Sequence, residues 1–276
     1  MAKGFIVLAT QRSGSSWVQE MLNSHPQLKV YNELFLPDAT GVSIWEPRDM
    51  EFANTYLQRH LQGRTGLARD YWTVRYLRRV FGQPRMHATG FKYMYDQVSN
   101  SRAVLPYAAF AGVSVVHLIR RNLLDVVISS KLALANGMYH FAADGRPPIP
   151  WHRSTPTQRS IELDPEEVLS ELTLLSGERQ RFRTWLRVTR TRICEVEYED
   201  LVADRATFGH ILAFLGLPAN QAQQLSSGLK KIRTVPQTET VANFAEIERQ
   251  LAGTRFGHFL ESEAPRSTMQ SAGAVA

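Results

Sequence analysis

The amino-acid sequence predicts an α/β fold in three layers, with a central parallel sheet flanked by helices. The first observation is a continuous apolar run at residues 5–9, which is typical of a buried parallel strand. The second is a Gly/Ser turn at residues 13–15, followed by a helical apolar pattern that begins near Ser16. The third is a β-branched run at residues 113–119, which predicts a central strand. A strand, a tight turn and a helix in this order usually open an α/β domain.

The remaining elements alternate along the chain as an α/β domain requires. Short apolar runs predict the strands, and apolar residues at helical spacing predict the helices. The patterns predict strands at 28–31, 88–94 and 192–196, and helices within 49–81, over 123–135 and 166–189, up to 215, and over 242–251.

Residues 1–261 are expected to form a single domain, because the sequence contains neither an internal repeat nor a linker between two parts. The segment 137–165 differs from its surroundings, since five prolines interrupt it, and we predict an irregular lid or insertion there. The small and polar residues of 262–276 predict a disordered tail.

Composition narrows the class of protein only partly. The chain of 276 residues is 43% hydrophobic, enough for a sizeable core, and carries a formal net charge of +6 that suits an anionic ligand. Cys194 is the single cysteine, so an intrachain disulfide is excluded and a reducing compartment is expected. Neither a signal peptide nor an apolar run of roughly 20 residues is visible, which predicts a cytoplasmic protein without stable membrane insertion. A homodimer is left open.

The first candidate site is the turn between the first strand and the first helix. Backbone N–H groups in such a turn, together with the positive end of the helix dipole, can bind an oxyanion. Arg12 adds a planar fork of donors, and Ser16 is predicted to cap the helix. The alternative is a serine-capped turn without a ligand. The candidate donor-binding residues of this turn are Gln11, Arg12, Ser13, Gly14, Ser15, Ser16 and Trp17.

The second candidate site follows the strand at 113–119, which ends in two arginines. Arg121 at the strand end and Ser129, two helical turns later, can meet at one phosphate if the helix folds back over the strand edge. The alternative is a solvated sheet edge. Arg120 is expected to face solvent or to pair with an acid.

These segments resemble the PAPS-dependent sulfotransferases, which use 3′-phosphoadenosine 5′-phosphosulfate (PAPS) as donor. The run Gln-Arg-Ser-Gly-Ser-Ser-Trp at 11–17 is similar to their 5′-phosphosulfate loop. Residues 121–129 resemble their 3′-phosphate segment, so the phosphate contacts carry over to Arg121 and Ser129. Residues 196–201 resemble a turn whose tyrosine, here Tyr198, lies near adenine. Residues 22–26 and 32–35 resemble the bacterial NodH-like and trehalose sulfotransferase branch.

The resemblance implies transfer of a sulfuryl group to a hydroxyl or amine of a small-molecule, carbohydrate or lipid acceptor. The fold it implies is the P-loop type, and no metal is expected. Glu33 matches the base of the trehalose branch, and a surface or capping role is its alternative. Arg12 would stabilise the transferring group. Lys92 resembles a lysine that meets the sulfonate, and a structural salt bridge is the alternative.

Two other functions are weighed against this one. A P-loop kinase or regulator that uses ATP would need a lysine after the last glycine of the loop, where this chain has Ser15. A nucleic-acid-binding module is suggested by an arginine-rich region, but no nucleic-acid-binding motif accompanies it, so we expect no such partner. The arginines of that region are Arg59, Arg64, Arg69, Arg75, Arg78, Arg79 and Arg85.

Overall fold

The computed structural model describes residues 3–35, 64–99, 101–136, 160–229 and 236–260. The strands in these ranges are β1 (Lys3–Ala9), β2 (Leu28–Tyr31), β3 (Ala88–Met94), β4 (Ser114–Ile119) and β5 (Ile193–Glu197). The helices are α1 (Ser15–Asn23), α2 (Gly66–Phe81), α3 (Val104–Phe110), α4 (Leu123–Asn136), α5 (Pro165–Val188), α6 (Tyr198–Ala203), α7 (Phe208–Leu215), α8 (Gln237–Thr240) and α9 (Phe244–Leu251). Short 3₁₀ turns follow β3 at Tyr95–Ser99, precede α7 at Arg205–Thr207, and lie at Ala219–Gln224 and Gly257–Phe259.

Within the described residues, the strands form a five-stranded parallel sheet in the order β2-β3-β1-β4-β5. Strand β1 lies at its centre, where Leu8 is in register with Tyr93 on one side and with His117 on the other. Because every pair is parallel, the carboxyl ends of all these strands meet at one edge of the sheet. In open α/β sheets this is the edge at which ligands bind.

Helices cover both faces of the sheet, because successive side chains of β1 point to opposite faces and pack against different helices. Phe5 and Val7 belong to a core cluster with side chains from α1 and α7. Ile6 and Leu8 point to the opposite face and pack with side chains from α2, α3 and α5. A strand buried on both faces has no polar side, which explains its continuous apolar run. The predicted three-layer α/β fold is confirmed.

A third core cluster lies beside the sheet, between α4, α5 and α9. Ile161 and Leu163 are buried in it, and Ile161 forms an isolated parallel bridge with Val241. The end of the predicted lid at 137–165 is therefore part of the packed structure. Residues 137–159 and the predicted tail at 262–276 lie outside the described residues, and the single-domain boundary stays a prediction.

The predicted elements agree closely with the structure where both can be compared. The strands at 28–31 and 88–94 have the predicted bounds, and α5 begins one residue earlier than expected. Helix α2 accounts for the second part of the helical region predicted over 49–81. The first part of that region, up to residue 63, lies outside the described residues.

Candidate active site

The turn between β1 and α1 is held in an unusual backbone conformation. Arg12 adopts a φ of 61° and Gly14 a φ of 88°, both in the left-handed region. Such a conformation costs free energy at a non-glycine residue and is often found at ligand-binding turns. The fully buried Ser13 fixes the turn, because its hydroxyl donates to the Thr10 carbonyl oxygen at 2.7 Å.

Gly14 is the N-cap residue of α1 and lies directly against Tyr198. A Cβ atom at Gly14 would lie 2.2 Å from Cδ2 of the Tyr198 ring, so this close approach requires glycine. Trp17 packs edge-on against the same ring, with the centroids 5.7 Å apart. The prediction that Ser16 caps the helix is wrong, because the helix already begins at Ser15 and Ser16 lies inside its first turn.

Lys92 connects this turn to the predicted base. Its side chain is only 1% exposed, and Nζ donates to Ser16 Oγ at 2.9 Å and to Glu33 Oε1 at 3.3 Å. Burial lowers the pKa of Lys92, an effect that the Glu33 carboxylate opposes and the Arg12 charge reinforces. The salt bridge named as the alternative role of Lys92 is present in the structure, and the same side chain also contacts the loop through Ser16.

The second oxygen of Glu33 is bound from the 3₁₀ turn that follows β3. Gln97 Nε2 donates to Glu33 Oε2 at 2.8 Å. In the same turn, Asp96 Oδ2 accepts from Gln11 Nε2 at 2.7 Å. Burial and the nearby Glu33 charge raise the pKa of Asp96, which the Gln11 hydrogen bond partly offsets. No site role was predicted for Asp96 or Gln97 from the sequence, although both lie in the 3₁₀ turn that directly follows β3 at this edge.

Helix α4 folds back so that its Ser129 reaches the first turn. Arg12 Nε donates to Ser129 Oγ at 3.2 Å. The two candidate anion-binding segments, distant in the sequence, are thus in direct contact at the carboxyl edge of the sheet. Ser15, also in the loop, is buried with its hydroxyl 3.9 Å from Met94 Sδ at the end of β3.

The Arg121 side chain is directed to acidic residues around the start of α6. Nε donates to Glu197 Oε2 at 2.7 Å and Nη2 to Asp200 Oδ1 at 2.8 Å, while the backbone N–H donates to Glu199 at 3.0 Å. Burial works against the charged form, but the hydrogen bonds to Asp200 and Glu197 outweigh it and raise the pKa of Arg121. Helix α6 begins at Tyr198, and the Tyr198 ring lies against Gly14. The Arg121 contacts are therefore next to the turn after β1.

Arg120 is buried, and of the two predicted alternatives it pairs with acids. Its Nη2 donates to Asp125 Oδ2 at 3.0 Å, and its guanidinium carbon lies 4.6 Å from the Tyr198 ring centroid. Its Nε is 3.0 Å from Glu199 Oε1, close enough for an ion pair, although the two atoms are not aligned for a hydrogen bond. Arg120 thus packs against the face of the Tyr198 ring.

The described residues contain no group of three or more His, Cys, Asp and Glu side chains that could hold a metal ion. None of the helices in this part of the chain is long and apolar enough to cross a membrane.

The chain is similar in sequence to two curated relatives. The chain is 23% identical to Nodulation protein H of Rhizobium tropici over 260 residues, covering 93% of this chain and 92% of the relative. It is 25% identical to Nodulation protein H of Rhizobium meliloti over 260 residues, covering 93% and 94%.

Three solved structures are also similar, at lower identity. The sulfotransferase domain of the Synechococcus PCC 7002 olefin synthase has a TM-score of 0.44 and 19% identity, covering 80% of this chain and 75% of that one. A sulfotransferase from Alicyclobacillus acidocaldarius has a TM-score of 0.42 and 15% identity, covering 91% and 95%. Mouse sulfotransferase SULT7A1, crystallised with PAP, has a TM-score of 0.39 and 14% identity, covering 94% and 87%.

A family model described as "Sulfotransferase family" matches residues 4–221, which include the first turn, Glu33, Lys92, the Arg121–Ser129 segment and Tyr198. This match spans well over half of the sequence and all of the candidate site described above. The chain belongs to the sulfotransferase family.

Proposed function

We propose that this sulfotransferase moves a sulfuryl group from PAPS to a hydroxyl or amine of a small-molecule, carbohydrate or lipid acceptor, and releases adenosine 3′,5′-bisphosphate (PAP). The observation that carries the proposal is the position of Lys92 between Ser16 of the loop and the Glu33 carboxylate. A buried lysine that contacts both groups supports a reaction site at which a donor sulfonate and an acceptor meet.

The residues of the loop suit the 5′ end of this donor. Arg12 and Lys92 supply positive charge, and the N-terminus of α1 supplies backbone N–H groups of the kind that bind anions. We assign Gln11, Ser13, Gly14, Ser15 and Ser16 to the same cradle.

The 3′ end of the donor is assigned to Arg121 and Ser129. The contact between Ser129 and Arg12 supports this assignment, because it brings the second segment next to the loop. Trp17 and Tyr198 form an aromatic pair beside Gly14, and we assign them to the adenine.

The chemistry follows from the charges at the site. The acceptor oxygen attacks sulfur, the bond from sulfur to the 5′-phosphate oxygen breaks, and the acceptor proton passes to Glu33. Negative charge spreads over the peripheral oxygens in such in-line transfers, and catalysis depends mainly on positioning and electrostatics. Arg12 and Lys92 are the cations available to stabilise that charge.

A binding titration tests the donor assignment. PAP should bind without magnesium, and much more tightly than adenosine 5′-phosphosulfate, which lacks the 3′-phosphate. ATP with magnesium is the matched probe for the kinase alternative. Binding of ATP that requires magnesium, together with no binding of PAP, would contradict the proposal.

An acceptor screen tests the reaction. Sulfur-labelled PAPS is incubated with representatives of each class, namely trehalose, a long-chain alcohol, phenol and a primary amine, and with water alone. We expect label to move to at least one organic acceptor faster than it is released as sulfate. Release of label only as sulfate, at the same rate with every acceptor present, would contradict transfer to these acceptor classes.

A further inference from the structure

We propose that Gln97 is a positioning residue that holds the Glu33 carboxylate for proton transfer. The inference rests on the proposed role of Glu33 as the base. Gln97 is fully buried, and its Nε2 donates to Glu33 Oε2 at 2.8 Å, opposite the oxygen that contacts Lys92. A neutral amide in this position fixes one carboxylate oxygen without supplying a charge or a proton of its own.

Contacts within the 3₁₀ turn set the orientation of the Gln97 side chain. Its Oε1 accepts from the backbone N–H of Met94, at a long 3.4 Å, so its Nε2 faces Glu33. The Gln97 carbonyl oxygen accepts from Ser101 Oγ at 3.1 Å, and Ser101 Oγ also lies 2.9 Å from the Tyr93 hydroxyl. The donor is therefore held in place by the protein alone, as orienting partners of catalytic groups usually are.

The charges around Glu33 indicate what the Gln97 hydrogen bond contributes. Lys92 binds one of its oxygens, and the Asp96 carboxylate is close enough for the two negative charges to interact. Repulsion between the two carboxylates would favour rotation of the Glu33 side chain away from Asp96. The Gln97 hydrogen bond opposes that rotation, while a second lone pair on each Glu33 oxygen stays available for a proton.

The test compares Gln97→Met with Gln19→Met. Gln19 is also buried and donates from Nε2, but to the backbone carbonyl oxygen of Val30 at 3.0 Å. The measurement is the single-turnover rate of labelled PAPS with the best acceptor of the screen, and with water as the acceptor. Gln97→Met should lower the rate about tenfold or more and leave PAP affinity unchanged, as expected for losing a hydrogen bond to a charged group. Gln19→Met should change neither.

A double-mutant cycle with Glu33→Gln measures whether Gln97 acts on the rate through Glu33 or through a general loss of structure. In the Glu33→Gln background, Gln97→Met should have almost no further effect on the rate. Full additivity of the two changes would overturn the proposal, as would a normal rate in Gln97→Met. If Gln97→Met does not fold, Gln97→Asn withdraws the same donor by one methylene group, and the same outcomes apply.

The two hypotheses fail in different ways. A normal rate in Glu33→Gln removes the base from the proposed function, and the role of Gln97 falls with it. A slow Glu33→Gln together with a normal Gln97→Met leaves the base in place and contradicts only the positioning role.

Discussion

Arg12 donates a hydrogen bond to Ser129 although the two residues are 117 positions apart in the sequence. The contact joins the turn after β1 to the second turn of the helix after β4, across neighbouring strands of the sheet. A bound donor would place negative charge next to Arg12, so the Arg12 side chain would then be shared between Ser129 and the ligand. Loss of Ser129 therefore affects both the position of Arg12 and any phosphate that Ser129 itself binds.

Ser129→Ala should weaken PAP binding about tenfold, because a hydroxyl that serves a charged group is lost. Ser130→Ala is the matched control, since Ser130 follows Ser129 in the same helix and is also half-buried. Isothermal titration with PAP measures both variants. Equal affinity of Ser129→Ala and Ser130→Ala would remove Ser129 from the donor site.

Arg121→Ala should weaken PAP binding, while binding of adenosine 5′-phosphosulfate stays nearly unchanged. The Asp200 carboxylate accepts from the Arg121 guanidinium and so competes with a phosphate for it. Asp200→Asn should accordingly tighten PAP binding several-fold, because the amide keeps the shape and removes the competing charge. Weaker binding in Asp200→Asn, or an equal loss for both ligands in Arg121→Ala, would contradict the 3′-phosphate assignment.

Gly14→Ala should destabilise the protein and abolish most PAP binding, because the new Cβ atom would meet the Tyr198 ring. Gly112→Ala is a sharp control. Gly112 also has a positive φ, of 67°, but nothing lies within 4 Å of its Cβ position. In Gly112→Ala, backbone strain alone should lower the free energy of unfolding by about 1 kcal/mol, with PAP binding intact.

Thermal melts with and without PAP distinguish Gly14→Ala from Gly112→Ala. Similar losses of PAP binding in both variants would exclude a role for the contact with Tyr198.

Much of the site was predictable because it lies where the strands end. Arg12 and Glu33 lie just after the ends of β1 and β2, and Lys92 lies within β3 close to its end, and parallel strands bring such residues to one edge. The central strands β1 and β4 were visible because each is buried on both faces and is therefore mostly apolar, whereas the edge strands β2 and β5 are only partly buried.

The sequence did not reveal contacts that depend on tertiary geometry. Gln97 binds Glu33 only because a 3₁₀ turn, rather than a longer loop, follows β3. Arg121 pairs with Asp200 because α6 starts directly at the end of β5. Ser16 looked like a helix cap, but Gly14 already takes that position with a left-handed backbone that few other residues tolerate. In each case the deciding quantity is a backbone conformation that the apolar pattern does not encode.

Glu33→Gln should reduce sulfuryl transfer about a hundredfold or more, since an amide cannot accept the acceptor proton. PAP affinity should change little, because Glu33 is joined to the turn after β1 through Lys92. Glu178→Gln controls for removal of a partly buried carboxylate, as Glu178 lies on α5 and its pKa is raised by burial. Transfer at the wild-type rate in Glu33→Gln would eliminate the base assignment.

Glu195 gives a stability prediction that is independent of catalysis. Its carboxylate accepts from His117 Nδ1 at 2.9 Å and from Arg183 Nε at 2.8 Å, and its side chain is 35% exposed. The hydrogen bond from His117 lowers the pKa of Glu195 from 4.5 to about 2. Arg183 lowers this pKa further, while burial acts in the opposite direction. The folded state thus favours the ionised form, so its stabilising contribution is complete above the unfolded pKa and is lost as pH falls from about 4.5 to about 2.

Because the Glu195 side chain is partly exposed, solvent screening reduces its contribution to the free energy of unfolding to about 1 kcal/mol. Glu195→Gln keeps the shape and removes the titration. Urea unfolding at neutral pH should therefore find wild type more stable than Glu195→Gln, and at about pH 3 the difference should shrink. Neighbouring acids titrate in both proteins and cancel in the comparison. A difference that stays constant between the two pH values would mean that the His117–Glu195 contact does not favour the ionised carboxylate.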